Sequence, residues 1–128
     1  MPCGRLGIGA GRSSNMGERI PDASEAMFQK DVIRLANMYE WLVHHVRPGR
    51  YGEFYKTDGL PGMPDLVLIS LRNRGVIFAE LKTARGRLNE NQLTVGKALM
   101  QNGAEYYVWR PGDMQEIADR LAGKPRHA

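Results

Sequence analysis

Two apolar runs of β-strand character, 65–71 and 76–82, lie four residues apart and constrain the fold more than any other feature. They are rich in Val, Ile, Leu and Phe, which makes them too hydrophobic for a freely solvated hairpin. The segment between them, Arg72-Asn73-Arg74-Gly75, contains the Asn and Gly that tight turns favour. We therefore predict a β-hairpin that forms part of a larger sheet.

Three charged residues stand at the open end of this hairpin. Symmetric closure about Asn73-Arg74 would place Asp65 opposite Lys82. The same register would place Val67 opposite Glu80. Because strand residues two apart share a face, we expect Asp65, Glu80 and Lys82 to converge on one side of the sheet.

Two carboxylates beside a lysine, at the end of apolar strands, suit phosphoryl chemistry. Carboxylate oxygens are ligands that Mg²⁺ or Mn²⁺ prefers, and a nearby lysine can hold a phosphate or stabilise an attacking water. The structural alternative is an Asp favoured after Pro in a turn, with a Glu/Lys pair that bridges a strand edge. The tripeptide Glu-x-Lys is common by chance, but its combination with Pro64-Asp65 and two apolar strands favours the functional interpretation.

The remaining segments predict an α/β fold with a mixed sheet flanked by helices. Amphipathic spacing over 28–39 indicates a first helix, and a strand-like run follows it. Asn89 and Gly103 bound a second helix. Asp113 with Glu116 is a capping-box pattern that would open a third. The predicted elements are helix 23–39, strand 41–46, a turn-rich stretch 47–63, the hairpin, helix 89–102, strand 105–109 and helix 113–121.

Composition bounds the cellular setting and the partner. The chain has 128 residues, a net charge of +4 and one cysteine, Cys3, which excludes an intramolecular disulfide and a multi-cysteine zinc site. We therefore expect an intracellular, cytoplasmic protein, and no apolar run approaches the length of a membrane span. Basic residues concentrate at 47–56 and 72–87, which favours a polyanionic partner, with a solvated basic surface as the alternative.

The ends of the chain differ from its centre. Residues 1–21 are rich in Gly and Arg and lack apolar periodicity, so we predict a flexible arm. We predict one folded domain over 22–122 and a frayed basic tail over 123–128.

Two motifs of the chain resemble those of a known nuclease family. Gly62-Met63-Pro64-Asp65-Leu66 and Phe78-Ala79-Glu80-Leu81-Lys82 are similar to the Gly-x-Pro-Asp and Glu-x-Lys motifs of the VRR-NUC domain, a branch of the PD-(D/E)xK nuclease superfamily. The resemblance extends from Ser24 to Pro111. It implies a restriction-endonuclease-like α-β-β-β-α-β core, the same order that the residues indicate independently.

The resemblance also implies roles for individual residues. Asp65 and Glu80 match the metal-binding acids, and the carbonyl of Leu81 would be a further ligand. Lys82 matches the catalytic lysine. Glu25 matches an acid that the family places on its first helix, and we expect it to bind the metal. Gln92 matches a glutamine that the family places on its second helix. Each of these two also fits a local role, because Asp22 with Glu25 and Asn89 with Gln92 are capping-box patterns.

Aromatic and basic residues suggest where nucleic acid would bind. Arg85 and Arg87 follow the catalytic strand, where phosphates beside the scissile bond would lie; the alternative is a solvated loop. The stretch 47–56 combines bases with aromatics that can stack on nucleotides or form a dimer contact. The residues expected to bind nucleic acid here are Arg47, Arg50, Tyr51 and Lys56.

The remaining aromatic and imidazole side chains fit structural positions. Of His44 and His45, one should face inward as a core or interface histidine. Four aromatics on strands should be core residues: Trp41, Tyr106, Tyr107 and Trp109.

The function expected from these features is Mg²⁺- or Mn²⁺-dependent hydrolysis of DNA phosphodiester bonds by an endonuclease. Resemblance to phage-type, stand-alone members implies a homodimer that acts on branched DNA, such as four-way junctions, in repair or recombination within a bacterial or phage-infected cell. A monomeric nicking enzyme is the counter-interpretation of the dimer. Two other classes remain open: an inactive DNA-binding module on a nuclease fold, and a protein that does not bind nucleic acid.

Overall fold

The computed structural model describes residues 23–45, 49–51, 54–56 and 59–124, with 49–56 described by backbone pairing alone. Its elements are α1 (Ala23–Met38), β1 (Trp41–His45), β2 (Gly49–Tyr51), β3 (Phe54–Lys56), β4 (Leu66–Ser70), β5 (Val76–Leu81), α2 (Glu90–Gln101), β6 (Glu105–Trp109) and α3 (Met114–Ala122). The 1–21 arm, the proposed cap Asp22, and residues 125–128 of the tail lie outside the described residues. The limits of the 22–122 domain therefore stay a prediction.

A mixed four-stranded sheet forms the centre of the molecule, in the order β1-β4-β5-β6. The pairs β1–β4 and β4–β5 are antiparallel, whereas β5 and β6 are parallel and are joined through α2. This confirms the predicted α/β class and agrees with a restriction-endonuclease-like core. None of the helices in the described ranges is long and apolar enough to cross a bilayer.

One face of the sheet packs against α1 and α3 to form the hydrophobic core. The predicted apolar stripe of α1 is buried, with Phe28 4%, Val32 0% and Ala36 0% exposed. Trp41 lies beneath it, and its indole N–H donates to the carbonyl of Leu121 at 2.9 Å. The other buried side chains of this cluster are Leu66, Leu68, Ile77, Ala79, Leu81, Trp109, Ile117 and Leu121.

The hairpin forms, but its register differs from the predicted one by two residues. Leu66 pairs with Ala79, and Val67 pairs with Phe78 rather than with Glu80. The cause is the position of the turn: Ser70 N–H donates to Gly75 C=O at 3.0 Å, so the four residues excluded from the ladder are 71–74 and not 72–75. The Ser70 hydroxyl stabilises the turn in this position by accepting the Arg72 N–H at 2.9 Å.

The continuation of this register brings Asp65 opposite Glu80, and not opposite Lys82. The predicted faces survive, because a shift of two residues leaves every side chain on its original side of the sheet.

Three other expectations need correction. The turn-rich stretch 47–63 contains a second, two-stranded sheet, β2–β3, whose three-residue strands are too short to show an alternating pattern in the sequence. Asp113 does not cap α3 with its side chain; its carboxylate instead accepts the Arg110 N–H at 2.9 Å. Tyr106 is half-buried on the face opposite the core, whereas Tyr107 is half-buried and packs against the core, and Trp41 and Trp109 are buried as predicted.

Candidate active site

Two carboxylates meet at the end of the β4–β5 hairpin, on the face of the sheet opposite the core. Glu80 is the one charged residue among the buried side chains of the described chain, at 2% exposure. Asp65 directly precedes β4, and its Oδ2 accepts the Leu81 N–H at 2.8 Å. The structure therefore brings together the Asp and Glu of the two sequence motifs.

Lys82 shares the face of Glu80, as the spacing of two residues predicts. Its Nζ lies 3.8 Å from Glu80 Oε2, and its side chain is 19% exposed while that of Glu80 is 3% exposed. The Lys82 N–H donates to Trp109 C=O at 3.0 Å, which fixes the backbone of this residue to β6. The ammonium group therefore stands at the mouth of the site, between the buried acid and solvent.

Burial and mutual repulsion shift the acids of this site toward their protonated forms. Burial and, next in size, the neighbouring charge of Asp65 together raise the pKa of Glu80 to about 8, although the charge of Lys82 opposes that rise. Burial also raises the pKa of Asp65, although its bond with the Leu81 N–H and the charge of Lys82 oppose that rise. Without a cation, the pair therefore favours a state in which Glu80 keeps a proton and Asp65 is ionised.

Gln92 joins the start of α2 to this pair. Asn89 and Gln92 form the predicted capping box: Gln92 N–H donates to Asn89 Oδ1 at 2.8 Å, and Asn89 N–H donates to Gln92 Oε1 at 2.9 Å. The remaining amide group, Nε2, donates to Glu80 Oε2 at 2.9 Å. The local role and the site role are therefore compatible, because the cap uses the oxygen of the Gln92 side-chain amide and the site uses its nitrogen.

Glu25 and His45 lie within electrostatic range of the carboxylate pair. The charge of Glu25, on α1, contributes to the raised pKa of Glu80. His45 is the half-buried member of the His44-His45 pair, as expected for one of them, and its charge opposes the raised pKa of Asp65. Within the described ranges, however, no three His, Cys, Asp or Glu side chains form a group that could hold a metal.

Tyr106 is a neighbour of the site that the sequence did not indicate. It pairs with Phe78 across the parallel β5–β6 ladder and so shares the face of Glu80. Burial raises the pKa of its phenol, and the charges of Glu80 and Asp65 raise it further. Alternation along β6 marks Tyr106 in the sequence, but only the parallel register shows what it faces.

Two glycines allow α2 to approach the site closely. A Cβ at Gly96 would lie 2.6 Å from Tyr106 Cζ, so the close contact of α2 with β6 requires glycine there. Gly62, in the Gly-x-Pro-Asp motif, has a φ of +95°, and a Cβ there would collide with the backbone of Asn91. The motif glycine therefore positions the loop that carries Asp65 against the first turn of α2.

The basic residues predicted to bind nucleic acid divide into two groups. Arg85 and Arg87 are exposed on the loop between β5 and α2, directly after Lys82. Arg50, Tyr51 and Lys56 lie on β2 and β3, whose backbone pairing alone is described. Arg47 lies outside the described residues. The β2–β3 ribbon connects β1 to β4 through the end of the sheet where Asp65 lies.

Comparison with known families gives a match that covers most of this site. The family model of the VRR-NUC domain matches residues 53–111, a span that includes Asp65, Glu80, Lys82 and Gln92 but not α1 with Glu25. No curated protein and no solved structure matches the chain. Residues 53–111 are therefore similar to the VRR-NUC domain, the nuclease family that the Pro-Asp and Glu-x-Lys motifs indicated.

Proposed function

We propose that this protein is a Mg²⁺- or Mn²⁺-dependent endonuclease that hydrolyses DNA phosphodiester bonds. The observation that carries the proposal is the placement of a buried Glu80 beside Asp65, with the Lys82 ammonium 3.8 Å from the Glu80 carboxylate. Burial and the charge of Asp65 disfavour the ionised form of Glu80 in the metal-free site. A divalent cation would offset the repulsion between the two carboxylates.

The donor set fits a hard divalent cation. Mg²⁺ keeps several waters and is usually bound through one or two carboxylates, so Asp65 and Glu80 suffice without a third acidic side chain. In a strand, the N–H and C=O of one residue point toward the same neighbour, so the Leu81 carbonyl belongs on the side where its N–H meets Asp65. Glu25 is then an outer acid that adds negative charge near the cation.

Each residue of the candidate site has a distinct role in this reaction. A divalent cation held by Asp65 and Glu80 would supply Lewis acidity to the scissile phosphate and would lower the pKa of the attacking water. Lys82 orients that water and offsets the negative charge that develops on the phosphate. Gln92 holds the Glu80 carboxylate in place, and Arg85 and Arg87 bind phosphates that flank the cleaved bond.

A cleavage assay tests this function. Linear, flap and four-way DNA are incubated with Mg²⁺, Mn²⁺ or EDTA, and wild type is compared with Lys82→Ala and with Lys30→Ala, which removes an exposed lysine on α1. We expect Lys82→Ala to reduce the cleavage rate at least about 100-fold while DNA affinity and unfolding temperature stay close to wild type. Wild-type turnover by Lys82→Ala would refute the assignment of the site. DNA binding without cleavage by the wild type would instead indicate an inactive binding module.

We also propose a homodimer that offers two such sites to a branched substrate. Its support is an apolar row across three paired strands, where Leu42, Ile69 and Val76 are 52%, 43% and 43% exposed. A two-fold dimer that covers this row would remove it from water and match the symmetry of a four-way junction. Light scattering should give twice the 14.4 kDa mass of one chain, and Ile69→Lys should reduce that mass to one chain. A wild-type mass of 14.4 kDa would refute the dimer.

A further inference from the structure

Arg110, directly after β6, ties the loop that follows Lys82 to the sheet. Its Nη1 donates to the carbonyls of Thr83 and Gly86 at 2.7 and 2.8 Å. The backbone of Arg110 is itself fixed by Asp113, whose carboxylate accepts the Arg110 N–H at 2.9 Å. Asp113 N–H in turn donates to Arg110 C=O at 2.8 Å. Asp113 therefore fixes the backbone of Arg110, and the Arg110 guanidinium is bonded to the loop.

The two carbonyls that Arg110 binds are the two ends of one turn. Gly86 N–H donates to Thr83 C=O at 3.2 Å, which closes a four-residue turn by a single long bond. Two hydrogen bonds from a cationic donor are each stronger than that neutral bond. The conformation of the turn therefore depends more on Arg110 than on the turn's own bond.

The same turn is packed against the lysine of the site. A Cβ at Gly86 would lie 3.3 Å from Lys82 Cδ and 3.0 Å from Thr83 Oγ1, so the backbone of Gly86 adjoins the aliphatic part of Lys82. Arg85, the third residue of the turn, is exposed beside it. Displacement of the turn would move both cations relative to Glu80.

We infer that Arg110 is a positioning residue of the active site, which holds the Thr83–Gly86 turn so that Lys82 and Arg85 keep their places. The inference rests on the proposed function, and it assigns Arg110 no contact with DNA or with the cation. A half-buried arginine that binds two loop carbonyls acts on the reaction through the residues of that loop. Small displacements of catalytic groups lower the rate far more than they lower stability.

The first experiment is independent of activity. Amide hydrogen exchange of Gly86 is measured by NMR in wild type, Arg110→Met and Arg110→Lys. Methionine keeps the aliphatic packing and removes every donor, whereas the lysine ammonium can still donate to both carbonyls. We expect Gly86 to exchange at least about tenfold faster in Arg110→Met and close to wild type in Arg110→Lys. The Lys82 amide, bonded to Trp109 in the sheet, is the internal control and should not change.

The second experiment measures cleavage at saturating DNA. We expect kcat to fall about 10- to 100-fold in Arg110→Met, with substantial rescue in Arg110→Lys. The matched control is Arg72→Met, which removes an exposed cation at the far end of the hairpin. Loss of the Arg85 phosphate contact should also lower the salt slope of DNA binding by about one, as Arg85→Ala would.

The outcomes separate the two proposals. Faster Gly86 exchange together with a lower kcat supports the positioning role. Unchanged exchange, or faster exchange at an unchanged kcat, overturns it. Wild-type protein that cuts no DNA overturns the proposed function, and Gly86 exchange then still reports whether Arg110 holds the turn.

Discussion

The raised pKa of Glu80 predicts that the metal-free protein loses stability as the pH rises. The unfolded chain releases this proton near pH 4.5, whereas the folded protein retains it up to about pH 8. Between these values the folded state binds more protons than the unfolded state, so the free energy of unfolding falls with increasing pH. The contribution of Glu80 protonation to the free energy of unfolding is complete below pH 4.5 and is lost once the pH has passed about 8.

The structure sets the size of this effect. Each tenfold difference in proton affinity is worth about 1.4 kcal/mol, so a rise from 4.5 to about 8 corresponds to at most about 5 kcal/mol. Between pH 5.5 and 9 we expect a loss of about 2–4 kcal/mol. Glu80→Gln should abolish that loss, because the amide mimics the protonated acid. Its oxygen can accept from Gln92, and its NH₂ can donate to Asp65.

Urea unfolding in EDTA, from pH 5.5 to 9, measures the difference between wild type and Glu80→Gln. Groups that titrate in both proteins cancel in that difference, and Glu116→Gln, on the exposed side of α3, controls for the loss of one surface charge. Added Mg²⁺ should restabilise wild type at pH 8–9 but not Glu80→Gln, with proton release on binding near pH 7. Curves for wild type and Glu80→Gln that stay parallel within about 0.5 kcal/mol over this range would refute the protonated Glu80.

Three further substitutions test neighbouring contacts. Asp65→Asn should weaken Mg²⁺ binding in calorimetry and raise the metal-free unfolding temperature at pH 8–9, because one of two repelling acids is gone; unchanged Mg²⁺ affinity would contradict this. Gln92→Glu keeps a capping-box acceptor but adds a carboxylate beside Glu80, so its unfolding temperature should drop above pH 8 and recover with Mg²⁺. An equal drop at pH 5 would indicate that only the cap is lost. Gly96→Ala should cost about 1–3 kcal/mol in urea unfolding, because its methyl group would overlap Tyr106; a neutral effect would show that α2 can move away freely.

The sequence predicted which face of the sheet carries the site, but it did not predict the register of the β4–β5 hairpin. Placing Glu80 and Lys82 on one side needs only the alternation of a strand, and that alternation is unchanged by a shift of two residues. Pairing Asp65 with the correct partner requires knowing which four residues form the turn. The Ser70 hydroxyl, which accepts the Arg72 N–H, stabilises the turn at 71–74, and no apolar pattern reveals that contact.

Residues of β1, β6 and α2 that lie near Asp65 and Glu80 could not be predicted from strand alternation. Tyr106 reaches the site through the parallel β5–β6 register, and the β1–β4 pair brings His45 opposite Leu66, the residue after Asp65. Both registers follow from how helices and loops close over long stretches of chain. Gln92 lies between these cases: its capping box is local and was predicted, whereas its bond with Glu80 depends on where α2 docks.

The docking of α2 is therefore the step that completes the site. Three contacts fix this helix against the sheet and the loop that precedes β4: Gly62 against Asn91, Gln92 with Glu80, and Gly96 against Tyr106. Two of them require the absence of a side chain, and the third bonds a buried acid whose ionisation is unfavourable without a cation. A cation that ionises Glu80 would strengthen its bond with the Gln92 amide, since hydrogen bonds to charged acceptors are the stronger ones. Cation binding at the carboxylate pair should accordingly tighten α2 on the sheet, so the helix start and a cation bound there would stabilise one another.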